Sequence, residues 1–96
     1  MKYIISYDIS SSKIRKEFSD FLLSENFIRI QKSVFIGNIK KKYLFKKIQD
    51  WIKNIENEKD SILLCPLCEN DLKESYFIGK TFDTEDLELF EKFLFF

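Results

Sequence analysis

Ninety-six residues allow a single domain, and sixteen Lys and Arg balance sixteen Asp and Glu to leave no net charge. Hydrophobic residues make up 45% of the chain and aromatics 17%, enough for a packed core, yet no apolar run approaches the ~18 residues of a membrane span. The chain opens directly on a β-rich run, without a basic-then-apolar signal segment, so a cytoplasmic location is expected. The neutral balance hides a polarity. Residues 1–59 hold thirteen Lys and Arg against seven Asp and Glu, whereas residues 60–96 hold three against nine. Such a split points to a basic surface suited to polyanions and an acidic segment that avoids them; the plainer alternative is lysines scattered over solvated faces.

The first run, "YIISYDIS" over residues 3–10, reads as a strand buried on both faces by Tyr3, Ile4, Ile5, Tyr7 and Ile9. It ends in a single carboxylate, Asp8. A charge there is costly to bury unless paired, hydrated or coordinating. Two readings are open: Asp8 meets solvent or starts a turn, or it is functional, since α/β ligands gather beyond strand carboxyl ends. The following "SSSKIRKEFSDFLLSEN" predicts an amphipathic helix. One of Ser10, Ser11 and Ser12 is its N-cap, Ile14, Phe18, Phe21 and Leu22 share one face, and Asn26 is its stop.

"FIRI" and "SVFIGNI" then predict two short strands joined through a tight turn or bulge at Gln31 and Lys32. A second helix is expected over 40–56, burying Leu44, Ile48, Trp51, Ile52 and Ile55. Its first turn is Lys40, Lys41 and Lys42, followed by Lys46 and Lys47. Cations at a helix N-terminus oppose the macrodipole, so a phosphate backbone is one explanation for the cluster and solvated lysines are the other. A strand over 62–65, stopped by Pro66, and a further one over 75–80 follow. The tail "DTEDLELFEKFLFF", 83–96, can form a short helix with acids in its first turn, and its Leu and Phe content demands a protein cover. Cys65 and Cys68 form a CxxC unit. Structural zinc normally takes four ligands, and with no His and no other Cys a four-Cys site would have to be shared across a dimer, so reduced thiols are the expected state.

The order β-α-β-β-α-β is the ferredoxin-like arrangement of an α+β protein, with the strand at 75–80 in excess of it. Residues 1–79 are expected to form that domain and 80–96 an acidic, aromatic tail. Four matches occur in this same order: "YIISYDIS", "RIQKSVFIG", "DSILLCPLC" and "YFIG". Together they resemble the CRISPR-associated adaptation family that forms the small second partner of the CRISPR integrase, the Cas-two family. The resemblance implies a homodimer in which the extra strand completes the partner's sheet edge. It implies an Asp8 from each chain across the interface, able to hold Mg²⁺ or another divalent metal for endonuclease chemistry on single-stranded RNA or on DNA. The hard carboxylate oxygens of Asp8 suit that ion.

By the same resemblance Ser10 supports the loop, Arg15 and Arg29 meet phosphate, and Phe35 occupies the aromatic position of "SVF", where core packing is its alternative role. Lys13, Lys16, Lys41, Lys42, Lys46 and Lys47 join them as candidate contacts to double-stranded DNA. Glu17 departs from the pattern, since many relatives carry a base there, and the tail from Lys80 matches no motif. Two functions therefore compete: a magnesium-dependent nuclease, and a dimer that bridges integrase subunits during spacer acquisition. An unrelated ferredoxin-like nucleic-acid-binding or toxin-like nuclease domain is the alternative.

Overall fold

In the computed structural model, residues 2–53, 55, 57–76 and 78 are described. Seven elements follow in chain order: β1 (Lys2–Asp8), α1 (Ser12–Ser24), β2 (Ile28–Gln31), β3 (Val34–Asn38), α2 (Lys41–Ile52), β4 (Ser61–Leu67) and α3 (Glu69–Glu74). The four strands form one antiparallel sheet in the order β2-β3-β1-β4, which is the α+β, ferredoxin-like arrangement. Among the described residues no helix is long and apolar enough to cross a membrane.

Alternation along β1 decides what each sheet face does. Tyr3, Ile5 and Tyr7 point to the helices and are buried there with Phe18, Leu22, Phe27, Phe35, Leu44 and Ile48. Aromatic rings dominate the centre. Phe18 meets Tyr7 edge-on at 5.1 Å between centroids and Trp51 at 5.5 Å, while Trp51 also packs on Phe21 at 5.7 Å. The opposite face holds a smaller cluster of Ile30, Ile36 and Leu72, with Ile4, Ile28, Val34 and Leu67 packed against it.

Local chemistry sets the ends of α1. Ser11 is the N-cap, its hydroxyl accepting from the Ile14 amide at 3.2 Å, so the structure selects one of the three serines. At the other end Asn26 takes a positive φ of 66°. The Phe27 amide then donates to the Leu22 carbonyl and the Asn26 amide to that of Leu23, both at 3.0 Å. This is a Schellman motif, and an Asn in the left-handed region is its cheapest residue after Gly.

Gly37 is required for a different reason. A Cβ there would stand 2.5 Å from the Phe27 ring, inside any tolerable contact. Gly37→Ala is therefore expected to destabilise the fold by about 1–3 kcal/mol, the usual cost of overpacking. Chemical denaturation reads it, and a cost below half a kcal/mol would show that Phe27 moves freely.

Several predicted boundaries shift. The last strand does not stop at Pro66; β4 runs through it to Leu67. It is the sheet edge, where a proline lacking an N–H can point its nitrogen away from the neighbour. The second helix ends at Ile52, four residues before the expected 56, and Ile55 lies beyond it, partly buried. Apolar spacing ran on past the true end. The hairpin turn is Lys32–Ser33, with a bulge between Arg29 and Gln31. Helix α3 was not anticipated, because its only buried residue is Leu72 and one apolar position sets no period. Its acids Glu69 and Asp71 in the first turn and Lys73 in the last suit the dipole. Of the strand expected over 75–80, Ser75, Tyr76 and Ile78 belong to no strand of the single chain, and Phe77, Gly79 and Lys80 lie outside the described residues. That strand was expected to pair with a partner's edge, which a single chain does not test. The tail 83–96 also lies outside the described residues, as does the side chain of Ile52.

Candidate functional site

Asp8 is the last residue of β1 and pairs in register with Ser61 at the start of β4. It follows Ile4 and Ser6 on the sheet face turned away from α1 and α2. The register places Leu63 beside Ser6 and Cys65 beside Ile4 on that face. Leu63 is 62% exposed there, and Cys65 is exposed too. The Asp8 carboxylate is exposed and has no hydrogen-bond or ion-pair partner among the described residues.

The chain just beyond Asp8 is held from both sides. Ile9 returns into the core at 3% exposure, and its carbonyl accepts from Arg15 Nη1 at 3.1 Å. Ser10 is tied to the loop before β4. Asp60 Oδ1 accepts from its amide at 3.0 Å and from its hydroxyl at 2.5 Å, and Asn57 Nδ2 donates to that hydroxyl at 3.0 Å. Asn57 and Asp60 were missed by sequence reasoning. They lie about fifty residues away, and no local pattern marks a partner that distant. These hydrogen bonds hold the loop that follows Asp8 to α1 on one side and to the segment before β4 on the other.

The expected phosphate-binding residues fall into separate groups. Arg15, Lys16 and Arg29 meet at a cleft of about 370 Å³ between α1 and the β2–β3 hairpin, joined by Tyr7 and Lys32. Neither Tyr7 nor Lys32 was among the expected contacts. Lys32 sits in the turn, where its position follows only once the hairpin closes. The Arg29 guanidinium lies 5.0 Å from the centroid of the Phe35 ring. Phe35 itself is fully buried, so it is core packing and a platform for Arg29 at once. Lys16 pairs with Asp20 at 3.4 Å on the exposed helix face. Lys13 is exposed on α1 and does not line the cleft.

The second group belongs to α2. Lys41, Lys42 and Lys46 are exposed, and Lys47 lies over the Tyr43 ring at 5.3 Å. Because Tyr7 and Asp8 point to opposite faces of the sheet, the cationic cleft and the carboxylate are separated within one chain.

Among the described residues no three of His, Cys, Asp and Glu cluster closely enough to hold an ion. Mg²⁺ is commonly held by one or two carboxylates with several waters, and the exposed Asp8 oxygens are of the type such an ion takes. Cys65 and Cys68 are free thiols, and Cys68 Sγ donates to Asp71 Oδ2 at 2.8 Å, which suits a reduced cysteine.

Fold and site together define a small ferredoxin-like domain with an exposed carboxylate at the end of β1, on the sheet face turned away from α1 and α2, and cations on the helical side. The chain belongs to the Cas2 family: the model of CRISPR associated protein Cas2 matches residues 1–75. The CRISPR-associated endoribonuclease Cas2 of Desulforudis audaxviator (strain MP104C) is 28% identical over 78 residues, spanning 78% of this chain and 71% of that protein. Its namesake from Korarchaeum cryptofilum (strain OPF8) is 29% identical over 80 residues, spanning 83% and 86%. Two crystal structures share the fold. Streptococcus pyogenes Cas2 at pH 6.5 superposes with a TM-score of 0.65 at 23% identity, over 82% of this chain and 100% of that one. The hypothetical protein TT1823 from Thermus thermophilus gives 0.59 at 20% identity, over 70% and 80%. Family membership removes the alternative of an unrelated nucleic-acid-binding domain.

Proposed function

We propose that the chain acts in CRISPR adaptation as a homodimer that bridges integrase subunits and holds duplex DNA by its backbone during spacer acquisition. The observation that carries this reading is the open sheet face. Leu63 stands exposed beside a strand that ends in Asp8, which has no partner among the described residues, and a second copy on that face would bury the leucine and bring two carboxylates together. Lys41, Lys42, Lys46 and Lys47 on α2, with Arg15 and Arg29 at the cleft and Lys13 and Lys16 on α1, neutralise phosphates without reading bases.

The paired Asp8 side chains are the proposed seat of Mg²⁺, which would polarise a phosphodiester and supply an activated water. Phosphodiester hydrolysis, on single-stranded RNA or on DNA, is then open to the isolated dimer. The names of the curated relatives support the RNA substrate. Ser10, Asn57 and Asp60 hold the loop that fixes Asp8, and Arg15 holds Ile9 while presenting its charge to the cleft.

Spacer acquisition in cells carrying an array and the integrase tests the bridging role. Asp8→Ala is expected to keep acquisition, and charge reversal of Lys41, Lys42, Lys46 and Lys47 to abolish it. With purified protein the reversal should also lower the salt dependence of duplex binding, by a slope of about 0.9 for each phosphate that is no longer neutralised. Unchanged affinity and slope would make the cluster a solvated face with no part in binding.

A further inference from the structure

The first half of α2 and the edge strand β4 enclose a groove of about 200 Å³, lined by Tyr3, Lys41, Leu44, Phe45, Leu64 and Pro66. It opens on the helical side of the sheet, since Leu64 and Pro66 stand in register with Ile5 and Tyr3, which are buried there. Its floor is core, for Tyr3 and Leu44 are buried. Its rim is not: Phe45 is 50% exposed and has no ring contact among the described residues.

Charge at the groove is one-sided. Lys40 is the N-cap of α2 and makes no side-chain cap, the first turn holds no acid, and Lys41, Lys42 and Lys46 follow on the exposed surface. Cations at that end are opposed by the helix dipole, so an anion beside them is favoured twice over. The occupant that fits is apolar and acidic together.

The dimer reading brings such a segment to the groove from the second copy. Of the two sheet edges, β2 is four residues long and broken by the bulge between Arg29 and Gln31, which blunts it. β4 holds seven residues in unbroken register with β1, and Pro66, next to last in it, withholds a single donor from an added strand. The partner's strand over 75–80 therefore belongs beside β4, at the ordinary spacing of about 4.8 Å from the strand that carries Leu64 and Pro66. In sequence only Thr81 and Phe82 then precede residues 83–96. These hold five acids (Asp83, Glu85, Asp86, Glu88 and Glu91) against Lys92 alone, interspersed with seven Leu and Phe.

We propose that residues 83–96 of one protomer seat in the α2–β4 groove of the other, their aromatic side chains against Phe45 and Pro66 and their acids beside Lys41, Lys42 and Lys46. This docking rests on the homodimer reading and extends it. Each copy lends the other a cover for its exposed phenylalanine and a counter-charge for the basic end of α2. Strand and cover come from the same protomer, so dissociation of the dimer uncovers both grooves.

The test introduces Phe45→p-benzoylphenylalanine into the full chain and refolds unlabelled and ¹⁵N-labelled protein together in equal amounts before irradiation. Light scattering of that sample is expected to give the dimer mass. Mass spectrometry is expected to find cross-links from position 45 into 83–96, about half of them joining unlike isotopes, as random pairing of two identical chains requires. Adding Glu85→Lys, Asp86→Lys and Glu88→Lys should lower the yield about three- to tenfold, since three exposed ion pairs are removed. Lys41→Glu, Lys42→Glu and Lys46→Glu in that same variant should restore it. A monomer mass would overturn the dimer reading and the docking with it. A dimer mass without cross-links into 83–96, with cross-links only between like isotopes, or with a yield indifferent to both reversals would overturn the docking alone.

Discussion

Asp8→Asn should remove magnesium-dependent cleavage of single-stranded RNA by the purified protein while leaving the fold intact. The expected loss is on the order of a hundredfold or more, because even residues that only orient a metal ligand commonly cost ten- to a hundredfold and Asp8 would be the ligand itself. The substitution keeps the shape of the side chain and deletes the charge. Its stability cost should stay within about half a kcal/mol, the usual range for a surface change away from special features, since the carboxylate is exposed and without a partner among the described residues. Cleavage rates with and without EDTA, beside thermal melts of both proteins, check the two halves together. Equal residual activity in wild type and variant would mean that the cleavage belongs to a contaminant.

Phe18→Ala should produce the largest loss of stability. Phe18 is fully buried, and its ring meets those of Tyr7, Phe21 and Trp51 at 5.1, 6.0 and 5.5 Å. It therefore joins the sheet, α1 and α2 at one point. Removing a buried phenylalanine costs about 3–5 kcal/mol through lost transfer energy and the cavity left behind. Against a total of roughly 5–15 kcal/mol this is a large share, equivalent to a drop of about 15 °C or more in Tm for a domain of this size. Leu23→Ala, at a 49% exposed position of the same helix, should be close to neutral. Melts at one fixed protein concentration separate the two, and a Phe18→Ala shift no larger than that of Leu23→Ala would contradict this account of the core.

The parts of the fold that were legible in the sequence are those set by local chemistry. Serines before an apolar period gave α1, and Asn26 gave its end, because a cap and a left-handed residue act within a few positions of themselves. The strand order could be argued from the succession of elements. What escaped depended on distant partners. Pro66 reads as a stop until β4 is known to be the sheet edge, and α3 shows no period because only Leu72 is buried. The site divides in the same way. Asp8 was visible as a charge at the end of an apolar strand, and family resemblance gave it a role. The tether of Ser10 to Asn57 and Asp60, and the meeting of Tyr7 and Lys32 with Arg15 and Arg29, form only when the chain closes on itself.

At the centre of the proposed function is a second copy seated on the open sheet face, so that two Asp8 carboxylates meet. Light scattering of the full chain at micromolar concentration, beside Leu63→Arg, tests this most directly. Leu63 is 62% exposed, so arginine there leaves the monomer folded yet places a charge in the proposed interface. The wild type is expected at twice its 11.6 kDa mass, and Leu63→Arg at 11.6 kDa with unchanged circular dichroism. A wild type that scatters as a monomer, or a dimer that Leu63→Arg leaves intact, would contradict it.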